Sequence, residues 1–262
     1  MNQTTEFLID VVKRASELIT DEFEVNAKGN DGDLVTNFDY EIEKFIIGEI
    51  NKAYPNYDII SEEFNTDGKL TENCFVIDPI DGTITFAHGC PDWAIQVACI
   101  KGGETISAVI FLPKLGELYW ADETGAFLNG KPVKVNTLPV HKCLFEVHGK
   151  GRLSALTRML PYSKHFRRSG SAAVSFAFVA AGRFGGVIFR NESVWDYVPG
   201  MFIAKQAGAF LINEYECHIA ANSKDFAELL KREAIFKNGD IYTKKGNPSV
   251  SFFIMGYYSL KL

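Results

Sequence analysis

Residues 76–89 read VIDPIDGTITFAHG. Apolar Val76 and Ile77 lead into Asp78, Pro79, Ile80, Asp81, Gly82 and Thr83. An apolar run closed by turn residues reads as a buried strand, and this one ends in two carboxylates three positions apart. Pro79 restricts the backbone between them, and Ile80 has only its carbonyl oxygen to offer. Gly82 lets the backbone approach a ligand closely, and the Gly82 and Thr83 N–H groups can face an anion. Each feature alone has a plainer explanation. Asp81-Gly82 is a common turn pair, and Asp78 could start an Asx turn.

The neighbouring acids change the balance. YDIISEE at 57–63 is a second short strand ending in acids, Glu62 and Glu63. Folds of the α/β kind place ligand sites at strand ends, so the two acidic ends meet if the strands are neighbours. Carboxylates packed together repel, and burying them uncompensated is costly. A hard divalent cation relieves the repulsion, and oxygen ligands without His or Cys among them favour Mg²⁺ over Zn²⁺. A metal cluster beside an anion-binding turn points to phosphate chemistry, in which two ions about 3.5–4 Å apart polarise a phosphoryl group and activate water. Phosphatases of the haloacid-dehalogenase type use Asp-x-Asp-Gly-Thr with the first Asp as nucleophile. Here the residue two before Asp81 is Pro79, so water attack is expected rather than a covalent aspartyl phosphate.

Outward from this stretch, apolar residues from Phe7 to Ile19 recur at helical spacing, predicting an amphipathic helix ending near Glu24. NAKGNDGD at 26–33 reads as a mobile loop. TNFDYEIEKFIIGEINKAY follows as a helix, with Thr36 and Asp39 at capping-box spacing. Short strand-like runs from about 94 to 135 predict an antiparallel sheet. From about 140 strands and helices alternate, predicting a more parallel α/β half. The organisation expected is an N-terminal α+β half over 1–140 with the metal motifs, an α/β half over 141–236 with a last metal Asp and the substrate rim, and a tail at 237–262 without an assigned role.

The 262 residues are 47% hydrophobic and 23% charged, as expected of a globular chain long enough to bury a real core. A net charge of −6 lacks the basic footprint of a nucleic-acid binder. The protein's own charge does not attract an anionic substrate, so bound cations would have to. Five scattered cysteines without a C-x-x-C pair read as reduced thiols of a cytoplasmic protein. No signal peptide or membrane span is legible.

In order along the chain, SEE (61–63), VIDPIDGT (76–83) and VWD (194–196) resemble the inositol monophosphatase family. KGNDGDLVTNFDYEIE resembles that family's N-terminal catalytic loop, and GSAA at 170–173 its substrate-side helix start. The resemblance runs from about residue 5 to 235. It implies a layered αβαβα sugar-phosphatase fold, usually dimeric, with two to three Mg²⁺ ions and a small phosphorylated metabolite as substrate. It places Glu62, Asp78 and the Ile80 carbonyl on the first ion, and Asp78, Asp81 and Asp196 on the second. Glu62 would help hold a third, with Lys28 in the loop-lysine position. Thr83, polarised by Asp39, would orient and deprotonate the attacking water. Gly82, Thr83, Ser171, Ala172 and Asp196 would contact substrate. Inositol-holding members often carry a Glu seven residues before the last metal Asp, whereas here that position is Phe189. Arg190 or Arg167 could instead form part of the pocket wall. The implied activity is an inositol-1-monophosphatase-like phosphate monoesterase. Fructose-1,6-bisphosphatase, NADP(H) phosphatase and histidinol-phosphatase are the alternatives on the same machinery. A non-catalytic sugar-phosphate-binding protein on this fold would be expected to lose a metal ligand or Thr83, and all are present.

Overall fold

The computed structural model describes residues 1–28, 33–149, 152–190, 192–214 and 217–234. Residues 29–32 of the predicted mobile loop and the whole 237–262 tail lie outside the described residues.

Helix α1 (Gln3–Ser16) starts where the Asn2 side chain accepts the Thr5 N–H, and it buries Leu8, Val11, Val12 and Ala15. It stops at Ser16, earlier than its periodicity predicts. Leu18 and Ile19 still pack on the core, but from the turn that follows. The segment expected to be loop forms the arms of a hairpin, β1 (Val25–Lys28) against β2 (Asp33–Thr36). Helix α2 (Asn37–Ala53) begins with the expected capping box between Thr36 and Asp39.

Strands β3 (Asp58–Ser61) and β4 (Asn73–Asp81) are followed by a short helix α3 (Thr83–Ala87). Then come β5 (Ala94–Lys101), β6 (Glu104–Leu112), β7 (Glu117–Asp122), β8 (Gly125–Leu128) and β9 (Lys131–Pro132). These strands make a seven-stranded sheet in sequence order. Only β3 and β4 run parallel, and the remaining neighbours are antiparallel, as the short runs predict.

The second sheet holds β10 (Phe145–Val147), β11 (Gly186–Phe189), β12 (Phe210–Glu214) and β13 (Cys217–Ala221), in the order β10-β11-β13-β12. Helices α4 (Arg152–Met159), α5 (Ala172–Ala180), α6 (Val194–Gln206) and α7 (Lys224–Ala234) accompany it. Only β10–β11 is parallel, because β12 and β13 fold back as a hairpin onto β11. The expected parallel character is thus confined to one pair. The five-residue β13 was not legible as a strand in the sequence.

The layers follow from side-chain parity. On β5, Ile95 and Val97 face α1 and α2, while the small Ala94 and Ala98 face α5 and α6. On β11, Val187 and Phe189 face α5 and α6, while Ile188 faces α4 and α7. Helices α5 and α6 are therefore a middle layer between two sheets, and the stack is αβαβα as expected. Gly200 of α6 lies against the Phe176 ring of α5, where an added Cβ would come 2.6 Å from the Phe176 Cβ, so these two helices approach closely.

Candidate active site

Pairing of parallel β3 and β4 sets Ser61 opposite Ile77, so Glu62 emerges beside Asp78. On the other side of β4, Asp78 pairs with Gln96 and Asp81 with Ala94. Three steps along β4 thus span two along β5, a bulge that falls at Pro79 and Ile80. A residue without an N–H is tolerated at such a bulge. The irregularity brings Asp81 back toward Asp78, and Asp196 of α6 joins them. One oxygen from each of these three carboxylates lies within 4.8 Å of the others.

Each carboxylate is held by its own local device. Asp196 is the third residue of α6, and its Oδ2 accepts the Ser193 N–H at 2.7 Å in a capping box. Asp39 repeats this at the start of α2, with Oδ2 accepting from Thr36 N and Oγ1, both at 2.6 Å. Its Oδ1 accepts the Thr83 hydroxyl at 3.2 Å, and the same hydroxyl lies 3.0 Å from the Ile80 carbonyl. Asp81 Oδ2 sits on the N-terminus of α5, accepting from Ser171 Oγ at 2.8 Å and from the Ala173 N–H. Ser171 and Ala172, expected at the substrate, are therefore brought first to Asp81. Lys28 donates to Glu62 at 2.9 Å and to Glu63 at 2.5 Å.

The electrostatics are those of uncompensated negative charge. Burial, reinforced by the charges of Glu62 and neighbouring aspartates, pushes Asp78 well above the ordinary carboxylate range, and burial with Asp81, Glu192 and Glu62 does the same to Asp196. Burial raises Asp81 to about 7 against its hydrogen bonds from Ala173 and Ser171. It raises Asp39 to about 6 against those from Thr36. Burial alone would lower the Lys28 ammonium, but the Glu62 charge and the bonds to both glutamates outweigh it and hold it high. The sharpest sign of a missing positive charge is Asp78 Oδ1, wholly buried with no hydrogen-bond partner among the described residues. An orphaned carboxylate oxygen among three converging aspartates fits a hard divalent cation.

An open cleft of about 540 Å³ adjoins the cluster. Its wall includes Lys28, Glu62, Gly82, Thr83, His148, Arg168, Glu192 and Asp196. The rim differs from the sequence expectation. Phe189 is 1% exposed and packs against the Phe176 ring at 5.3 Å, inside the middle layer. It is not at the rim, because the pleat of β11 turns it toward α5. Arg190 is also buried and is not on the cleft wall. Arg167 turns to Asp92 in a two-pronged ion pair, both contacts at 2.7 Å, and its neighbour Arg168 reaches the cleft instead.

Two supporting glutamates were missed. Glu43, one turn after Asp39 on α2, is fully buried and accepts from Ser61 Oγ, Phe64 N and Glu63 N. It anchors the turn that carries Glu62. Glu146 on β10 accepts from Ser169 N and from Ser175 Oγ. Ser169 Oγ in turn donates to the Ser171 carbonyl, fixing the turn that holds Asp81. The i, i+4 pair of acids on the apolar face of α2 was the available signal for Glu43. Glu146, inside a three-residue strand, offered none.

Residues 1–240 match the family model for the Inositol monophosphatase family. The chain belongs to this family. A relative from Thermotoga maritima named fructose-1,6-bisphosphatase/inositol-1-monophosphatase is 34% identical over 218 residues, covering 80% of each protein. A Nus factor SuhB from Xylella fastidiosa is 32% identical over 189 residues, covering 68% of each. Among solved structures, an IMPase from Thermotoga maritima superposes with a TM-score of 0.81 at 29% identity, over 88% of this chain and 97% of that one. The three aspartates, the Thr83–Asp39 pair and the five-layer stack thus sit in a chain of the inositol monophosphatase family. Among the described residues no helix is long and apolar enough to cross a membrane.

Proposed function

We propose that this chain is a Mg²⁺-dependent hydrolase of phosphate monoesters, of the inositol-1-monophosphatase kind. The observation that carries the reading is the orphaned Asp78 Oδ1 within the Asp78–Asp81–Asp196 cluster, beside the hydroxyl of Thr83. Glu62, Asp78, Asp81, Asp196 and the Ile80 carbonyl would hold two to three Mg²⁺ ions. When bound, Mg²⁺ supplies the positive charge that the phosphoryl group and the departing oxygen need.

The chain's own groups do the rest. Thr83 Oγ1, within hydrogen-bond reach of Asp39 Oδ1 at 3.2 Å, would donate its proton there and keep lone pairs free to accept from a water. Asp39, held by Thr36 and with a pKa of about 6, can take a proton through Thr83 near neutral pH. Gly82 and Thr83, both on the cleft wall, would receive the phosphoryl group. Ser171 and the start of α5 act by fixing the Asp81 carboxylate, with Ala172 part of that helix start.

We place the protein in the cytoplasm as a homodimer. Leu138, Leu153 and Phe166 are exposed apolar side chains, at 47%, 75% and 50%, and sedimentation analysis tests the dimer.

The decisive experiment is phosphate release from inositol 1-phosphate, fructose 1,6-bisphosphate, NADP⁺ and histidinol phosphate, with Mg²⁺ and with excess EDTA. Hydrolysis of at least one ester, abolished by EDTA, is expected. Full activity in EDTA, or no hydrolysis of any ester, overturns the reading.

A further inference from the structure

Gln96 occupies a place that packing would give to an apolar side chain. It lies on β5 between Ala94 and Ala98, which face α5 and α6, and it pairs across to Ile110 of β6 in the same apolar layer. Alternation along the strand turns Gln96 into that layer as well, and it is fully buried. On its other side it pairs with the fully buried Asp78 of β4. Its Nε2 donates to Asp78 Oδ2 at 3.4 Å, while its Oε1 is buried without a hydrogen-bond partner among the described residues. A buried amide oxygen left unpaired is costly, and an apolar side chain would avoid that cost. The pair also marks the point where the ladder breaks. Asp78–Gln96 is the last regular pair before the bulge, and pairing resumes only at Asp81–Ala94. Pro79, in between, has no N–H to give.

We infer that Gln96 is a positioning residue for the metal site: its amide fixes the plane of the Asp78 carboxylate and so holds the unpartnered Oδ1 ready for a cation. The inference rests on the hydrolase reading above, because it takes Asp78 as a Mg²⁺ ligand. Asp39, Asp81 and Asp196 are each held by a backbone N–H, from Thr36, Ala173 and Ser193. Asp78 has no such hold. Among the described residues Gln96 is the single hydrogen-bond donor to its carboxylate. The bulge that brings Asp81 back toward Asp78 removes the regular ladder beyond Asp78, and the side chain of Gln96 supplies a cross-strand bond at that point. A neutral donor suits the place. A cationic one would satisfy the Asp78 charge by itself and compete with the metal ion. In this role Gln96 touches neither the ion nor the substrate. It acts through Asp78, and the unpaired Oε1 is the cost of keeping an amide inside an apolar layer.

The test replaces Gln96 by Met, which is unbranched and adaptable in a core, and separately by Leu. Both substitutions remove the donor together with the unpaired carbonyl. Losing that carbonyl offsets part of the cost of leaving Asp78 Oδ2 without a donor, so the melting temperature in EDTA should stay within about 4 °C of wild type. Calorimetric Mg²⁺ titration should show affinity weakened about 10–100-fold in both variants, the range for substituting a group that orients a metal ligand. Ser107→Ala is the control. It breaks a buried 2.7 Å contact with Thr5, from a β6 residue paired with Cys99, and should leave Mg²⁺ affinity unchanged. Wild-type Mg²⁺ affinity in the Met and Leu variants overturns the inference. So does an equal weakening in Ser107→Ala, or loss of cooperative melting in both Gln96 variants, since either makes the effect one of packing alone. These readouts use no ester, so a wild type that binds Mg²⁺ but cleaves no ester fails the hydrolase reading alone. A wild type that binds no Mg²⁺ fails the metal assignment, and this inference with it.

Discussion

Replacing Glu43 by Gln perturbs the site without touching any group that faces the cleft. Glu43 Oε1 accepts from Ser61 Oγ at 2.5 Å and from Phe64 N at 2.8 Å, and Oε2 accepts from Glu63 N at 2.8 Å. An amide offers one oxygen where the carboxylate offers two. Whichever way it is turned, its NH₂ faces a backbone N–H, and one buried donor loses its acceptor. That costs about 1–3 kcal/mol. The substitution also removes a charge whose burial raises its own pKa, which offsets part of the loss, so the lower half of that range is expected. At about 2–4 °C per kcal/mol for a chain of this size, the melting temperature should fall by roughly 2–8 °C. The functional consequence follows from what Glu43 holds. The Glu63 and Phe64 N–H groups anchor the turn bearing Glu62, so loosening it displaces a proposed metal ligand. Substitution of a group that orients a ligand lowers metal affinity by about 10–100-fold. Scanning fluorimetry reads the first effect, and calorimetric Mg²⁺ titration the second. A lower melting temperature with Mg²⁺ affinity within twofold of wild type would refute the positioning argument. No change in either would refute the hydrogen-bond accounting as well.

Asp81→Asn should lower kcat at least about 10²-fold by removing a charge from the cluster, while the melting curve stays cooperative; near-wild-type turnover at saturating Mg²⁺ would remove Asp81 from the metal site. In metal-free protein, Asp39 and Asp81 have pKa values raised from 3.8 to about 6 and about 7. The folded state therefore binds protons more tightly than the unfolded state between these limits, and stability falls as pH rises through that window. Melting temperature in EDTA should decline from about pH 4 to pH 7, and added Mg²⁺, which takes the ionised forms, should raise it more at pH 8 than at pH 5; a flat or rising profile in EDTA contradicts the raised values. Phe189→Glu should not switch substrate preference, since residue 189 faces Phe176 inside the middle layer. Loss of the ring alone costs about 3–5 kcal/mol, so urea unfolding should show a large drop in stability, and a well-folded variant with improved inositol phosphate turnover would return this residue to the rim.

What the sequence determined by itself is the chemistry carried by short stretches. An apolar run ending in Asp78 and Asp81 around Pro79 is a buried strand that delivers two acids at its end, because the apolar run, the imino ring and the glycine are all local constraints. The capping box at Thr36–Asp39 is local too, and it sets Asp39 on the first turn of α2 without any tertiary contact. The hairpin arms of β1 and β2 and the strand β13 were harder to see, because a four- or five-residue strand is defined by its partner more than by its own residues. Only the tertiary structure decided the direction of each side chain at the site. Phe189 lies at the family-expected distance before Asp196, but the parity of β11 faces Val187 and Phe189 to α5 and α6 and sends Ile188 the other way. Counting residues gives position along the chain, while packing between two sheets sets which face is buried. The partners of Glu43 and Glu146 could not be read from the sequence, since they include residues 18 to 29 positions away. A buried carboxylate is tolerated only where such partners converge, and that convergence exists only once the layers have closed.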